Sequence, residues 1–167
     1  MGVNNKQGEA WAKKLAKANS EWSEFMNSVA VGEGRYAADK AREISTEDMS
    51  EPQQKKQSVV NTGLYRRSWN HDKTAVKNGT LYSVECFNNV EYASHLEYGF
   101  RSHFVPGKYL SGAVRTARPN GFYIGKPGGF VRGHFTLRRA VDDMKRSQEA
   151  RIKRKVLQYL KNKDVGK

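Results

Sequence analysis

A chain of 167 residues and 19.0 kDa fits one domain around one core, since domains cluster near ~100–150 residues. Its 18 aromatic residues (3 Trp, 8 Tyr, 7 Phe) exclude a wholly disordered chain, its single cysteine excludes an internal disulfide, and no apolar run approaches the ~18 residues of a membrane helix. The net charge of +13 is lopsided: residues 1–100 hold 13 Lys/Arg against 13 Asp/Glu, whereas residues 101–167 hold 17 against 4.

A basic half calls for a polyanion or an acidic protein nearby, the bland alternative being a solvated basic surface kept for solubility. Met1-Gly2-Val3-Asn4-Asn5-Lys6 has no apolar stretch behind its first basic residue, so no secretory signal is expected.

Residues 9–30 carry the clearest helical period. Trp11, Leu15, Ala18, Trp22, Phe25, Met26 and Val29 recur every three or four positions, with Lys13, Lys14, Lys17, Glu21 and Glu24 between them. That pattern predicts an amphipathic helix whose aromatic stripe meets the core or another subunit. Val31-Gly32-Glu33-Gly34 is expected to end it, because glycine favours the left-handed cap. A shorter helix over Tyr36–Ile44 and a polar linker over 45–57 should follow.

Residues 58–100 are the expected core. Asn61-Thr62-Gly63 can start a short helix or turn, and Asn78-Gly79 between Thr74–Lys77 and Thr80–Phe87 is a strong hairpin signal. On the second strand Tyr82, Val84 and Cys86 share a face, making Cys86 a small buried hydrophobe. Residues 90–99 read as a short helical or irregular segment closed by Gly99.

From 101 to 135 the chain is rich in glycine, aromatics and Lys/Arg and nearly free of acids. Phe104–Tyr109 and Gly121–Gly125 suggest strand pieces, and 128–133 a flexible tip, in a connection without an expected helix. A basic helix over 136–160 closes the chain. Leu137, Val141, Met144, Gln148, Ile152, Val156 and Tyr159 hold its apolar period, and Arg138, Arg139, Arg146 and Arg151 lie among the bases of the other face. The elements amount to a single α+β domain: a small antiparallel sheet flanked by an N-terminal amphipathic helix and a basic C-terminal helix.

Chemistry-bearing patterns are scarce. The four histidines (71, 95, 103, 134) show no ligand spacing, and neither a P-loop, a nucleophile elbow nor a dinucleotide fingerprint is present. Glu91 and Glu97 form a conceivable carboxylate pair, but as surface groups they are expected to be solvated. Arg66-Arg67 with Trp69 either stack on bases or leave Trp69 to pack while the arginines face outward. No catalytic residue, metal ligand or cofactor is assigned.

Three segments in order carry a resemblance. Asn61-Thr62-Gly63-Leu64-Tyr65-Arg66-Arg67-Ser68 precedes the hairpin, Val90-Glu91-Tyr92-Ala93-x-x-Leu96-Glu97-Tyr98-Gly99 follows it, and Gly133-His134-Phe135-Thr136-Leu137-Arg138-Arg139-Ala140 opens the last helix. This order resembles the small neck and tail-completion proteins of tailed bacteriophages, the gene-product-ten family. Phe100-Arg101 after Gly99, and His134 in place of a proline, depart from the pattern.

The resemblance implies a non-enzymatic virion component, assembled in the host bacterial cytoplasm and completing the neck or tail at the head–tail junction. It would form a ring, a hexamer or dodecamer, contacting connector, tail-terminator or tail-tube proteins, with DNA passing through without base readout and no membrane involved. The expected partner-binding residues are Trp11, Trp22, Tyr92, Tyr98, Phe130, Arg138, Arg139, Arg146 and Arg151. The rival reading is a basic nucleic-acid-binding module whose C-terminal half contacts phosphates.

Overall fold

The computed structural model describes residues 5–50 and 63–164. Its first element, α1, runs unbroken from Asn5 to Ser50, a length of about 69 Å. The expected stop at 31–34 is therefore corrected: the first helix and the shorter one over 36–44 are one rod. Neither Gly32 nor Gly34 has positive φ. Their role is close packing. Gly34 is buried, and a Cβ there would collide with Val84 Cγ1, while one at Gly32 would sit 2.7 Å from Lys155 Nζ. Of the expected linker, 45–50 continue α1, and 51–57 lie outside the described residues.

The closing helix α5, Thr136–Asp164, lies antiparallel against α1. At one end Ala41 and Ile44 of α1 share a core with Ala140, and at the other Phe25 stacks on Tyr159 with centroids 4.3 Å apart. Between them lies an ion-pair cluster. Arg151 donates from Nε to Glu33 Oε1 at 3.3 Å and from Nη2 to Oε2, and Lys155 adds a third contact at 3.7 Å. The Arg151 guanidinium also lies 3.8 Å over the Tyr36 ring. Such a pair is costly to desolvate and needs this saturation of partners to hold.

The short helix α2, Leu64–Arg67, and strand β1, Trp69–His71, close the core from the other side. Tyr65 and Trp69 are buried edge to face at 5.4 Å, and each such ring contributes on the order of 3 kcal/mol. Trp69 Nε1 donates to Ser45 Oγ at 3.0 Å, which in turn donates to the Ala41 carbonyl at 2.6 Å. Trp69 is thus core and unavailable for base stacking, while Arg66 and Arg67 are exposed.

Among the described residues, the sheet of the α+β expectation is four two-stranded antiparallel ladders. Strands β2 (Val76–Asn78) and β3 (Leu81–Ser83) form the expected hairpin, displaced by one residue: Asn78 pairs with Leu81, leaving Gly79 (φ 61°) and Thr80 as the turn. The run to Phe87 is not one strand. It breaks after Ser83, and β4 (Cys86–Asn88) pairs instead with β1, Trp69 opposite Asn88 and His71 opposite Cys86. Cys86 packs beside the core, and burial pushes its thiol above its ordinary pKa. Helix α1 anchors this region, Asn27 Oδ1 accepting the Ala75 N–H at 2.8 Å and Ser23 bonding to the Tyr82 hydroxyl at 2.9 Å.

After α3 (Ala93–Tyr98), two ladders in succession make one protruding ribbon. Strand β5 (Gly99–Arg101) pairs with β8 (Phe130–Arg132), and β6 (His103–Val105) with β7 (Phe122–Ile124). A single 3₁₀ turn at Gly107–Tyr109 and a short helix, α4 (Gly112–Ala117), cap it. Two expectations change here. The segment does contain a helix, and residues 130–132 form the base of the ribbon, whose tip is 106–121.

Candidate assembly surfaces

Three surfaces carry the residues singled out from the sequence. The first is the free end of α1. Glu21 is held by Lys163 at the last described turn of α5, so the helix N-terminal to it extends past the described end of α5. Residues 8–20 are all exposed, Trp11 at 67%. The stripe that packs on Tyr159 through Trp22 and Phe25 therefore continues into solvent as Ala18, Leu15 and Trp11. Trp11 stands about 45 Å along the helix from Ala41 in the core. Trp22 is half-way: it meets Tyr159 at 5.8 Å yet keeps an open face.

The second surface surrounds the junction of α3, the ribbon and α5. Glu97 was expected to be solvated, but it is buried at 7% exposure. Its Oε2 accepts the Leu137 N–H at 3.0 Å and its Oε1 the Arg138 N–H at 3.2 Å. It thereby caps the N-terminus of α5, whose open N–H groups and dipole favour an anion. Two backbones touch beside it. His134 N–H donates to the Leu96 carbonyl at 2.7 Å and Phe135 N–H to that of Glu97 at 3.1 Å. A Cβ on Gly133 would lie 2.5 Å from Gly99 N and overlap the Glu97 carbonyl, so both glycines are required by proximity. Phe135, entering α5, adopts a left-handed φ of 52°. Such a conformation costs roughly 1–2 kcal/mol in a residue with a Cβ, and these bonds hold it. Tyr92 and Tyr98 point away from this packed junction, Tyr98 at 66% exposure.

The third surface is the ribbon with the outer face of α5. Phe130 is exposed at the ribbon base, beside Gly99. Arg138, Arg139 and Arg146 are exposed on α5, where Arg139 and Arg146 line a shallow depression with Ile44, Asp142 and Asp143. Arg146 pairs with Asp143 at 3.1 Å. Arg151 is placed differently from these three. It faces inward onto Glu33, and contact with another chain would first have to break that pair. The hint was its place beside Ile152 at the edge of the apolar stripe.

The structure thus separates the predicted residues: Trp11 and Trp22 belong to one end of the helix pair, Tyr92, Tyr98, Phe130, Arg138, Arg139 and Arg146 to the other, and Arg151 to the ion-pair cluster between them. Among the described residues, no group of three His, Cys, Asp or Glu side chains converges on a metal-sized site, and no helix is long and apolar enough to cross a membrane.

Residues 9–99 match the family model described as "Bacteriophage HK97-gp10, putative tail-component". The match runs from α1 through α3 and stops at the first residue of the ribbon. No curated protein and no solved structure matches the chain.

Proposed function

The chain belongs to the HK97-gp10-like family of bacteriophage tail components, a structural family, and on that premise we propose that it is a ring subunit completing the neck and tail at the head–tail junction. The observation that carries the reading is the apolar stripe of α1 running beyond α5. Trp11 and Leu15 are large side chains left in water by the subunit's own fold. Contiguous exposed apolar surface of this kind marks an interface, and a heterologous contact that closes generates a ring. A neighbouring subunit covers Trp11 and Leu15, while the opposite end of each subunit faces the other neck and tail proteins. Arg138, Arg139 and Arg146 meet carboxylates of those proteins. DNA passes through the lumen without base readout, since adhesive walls would oppose sliding.

Light scattering and electron microscopy of the purified chain test this. A closed ring is expected, and Trp11→Asp with Leu15→Asp should release folded subunits, because both side chains are exposed and absent from the core. A wild-type chain that stays monomeric at assembly concentrations would overturn the ring.

A further inference from the structure

We propose that the ribbon, residues 99–132, docks into an acidic, apolar-floored face of a different structural protein of the particle. The inference rests on the tail-component reading and names the chemistry of a partner. The ribbon carries Arg101, Lys108, Arg115, Arg118, Lys126 and Arg132 and no acid. All six are exposed, and none has a carboxylate partner among the described residues. Several cations of α1 and α5 differ, for Lys17, Arg42, Arg146, Arg151, Lys155 and Lys163 pair within the subunit.

Large rings lie among these charges. Phe104 and Tyr123 sit opposite each other across the ladder at 5.3 Å, Phe130 is opposite Arg101, and Tyr109 at the tip is 72% exposed. Arg118 already lies 4.6 Å over Phe122 and Lys108 4.9 Å over Tyr109, so the cationic and aromatic groups are held in place before any partner arrives. Exposed aromatics interleaved with arginine are the composition of an interface centre.

The charge decides among occupants. A second copy is the poorer match, since its residues 1–100 balance 13 Lys/Arg against 13 Asp/Glu and its remainder is basic. Duplex DNA would match the cations but, short of unstacking its bases, offers the exposed Phe and Tyr rings little apolar surface beyond thymine methyl groups. A different protein with acids around an apolar floor satisfies both.

The test uses the full chain expressed with its complete set of particle genes. Tyr123→p-benzoylphenylalanine and Phe130→p-benzoylphenylalanine, irradiated in assembled particles, should cross-link to a peptide of another structural protein with Asp or Glu around the linked position. Arg101→Glu with Arg132→Glu should lower the yield of joined particles about tenfold or more, while the purified variant keeps wild-type thermal stability and oligomeric mass. Cross-links to a second copy of this chain, to DNA, or to nothing would overturn the proposal, as would normal joining by the charge-reversed variant. The oligomeric mass of the purified chain tests the ring separately from the ribbon.

Discussion

The Glu97 carboxylate and the Leu137 backbone N–H meet at 3.0 Å although 40 positions separate them, and through this bond the last turn of α3 caps the first turn of α5. Glu97→Ala should lower stability by about 1–2 kcal/mol, the range for loss of a helix N-cap, by stranding two N–H donors in a buried junction. Glu97→Gln keeps an acceptor and should lose less. Urea denaturation of both variants checks the order, and equal losses would show that volume, not capping, is what Glu97 supplies.

The Glu33–Arg151 pair should behave as a mutually dependent unit. Arg151→Met leaves a buried carboxylate with only the more distant Lys155 and should cost about 2–4 kcal/mol. Combining it with Glu33→Gln should cost clearly less than the two single changes added together. A double-mutant cycle reads this coupling, and strict additivity would mean that the pair contributes nothing beyond its separate parts.

Gly32 and Gly34 should respond in opposite directions to the same substitution. Alanine is the better helix former by about 1 kcal/mol, which favours both changes. At Gly32 the obstacle is the far end of Lys155, which can swing away, so Gly32→Ala should be neutral or stabilising. At Gly34 the obstacle is Val84, whose Cγ1 would overlap the new methyl and whose Cβ would lie 3.3 Å from it, so Gly34→Ala should destabilise by about 1–3 kcal/mol. Adding Val84→Ala should restore part of the loss. Thermal melts of the three variants decide it.

Burial, reinforced by the neighbouring Lys73, holds the His71 imidazole below its ordinary pKa, with Arg42 and Arg35 acting the same way and Asp39 opposing. The unfolded chain then binds a proton more readily than the folded one, so stability is greatest above the ordinary histidine value and is lost as pH falls. Denaturation midpoints should decline between about pH 7 and 5, and His71→Gln should flatten that decline. An unchanged slope would assign it to other groups.

What the sequence made legible was whatever depends on local spacing. The three-and-four recurrence from Trp11 to Val29 located the first helix, Gly99 closed α3, and the period from Leu137 placed the start of α5 within a residue. What escaped depends on distant neighbours. A glycine that packs against Val84 is spelled the same as a glycine that ends a helix, so α1 was cut short. Glu97 bonds to main-chain donors, which leave no side-chain signature to find. Arg151 belonged to the same basic face as Arg146 until Glu33, 118 positions away, claimed it. The one-residue shift of the hairpin arises because Asn78 pairs with Leu81 and leaves the turn to Gly79 and Thr80.

The contact of Gly99 with Gly133 has a consequence for how such a chain can diversify. The ribbon leaves and rejoins the body where two main chains meet with no side chain between them. Its aim is consequently written in backbone geometry, and the residues beyond the crossing can be exchanged without disturbing the Tyr65–Trp69 core. A lineage could therefore retune what the ribbon grips, residue by residue, on an unaltered chassis; a substitution at either glycine would forfeit that freedom at once.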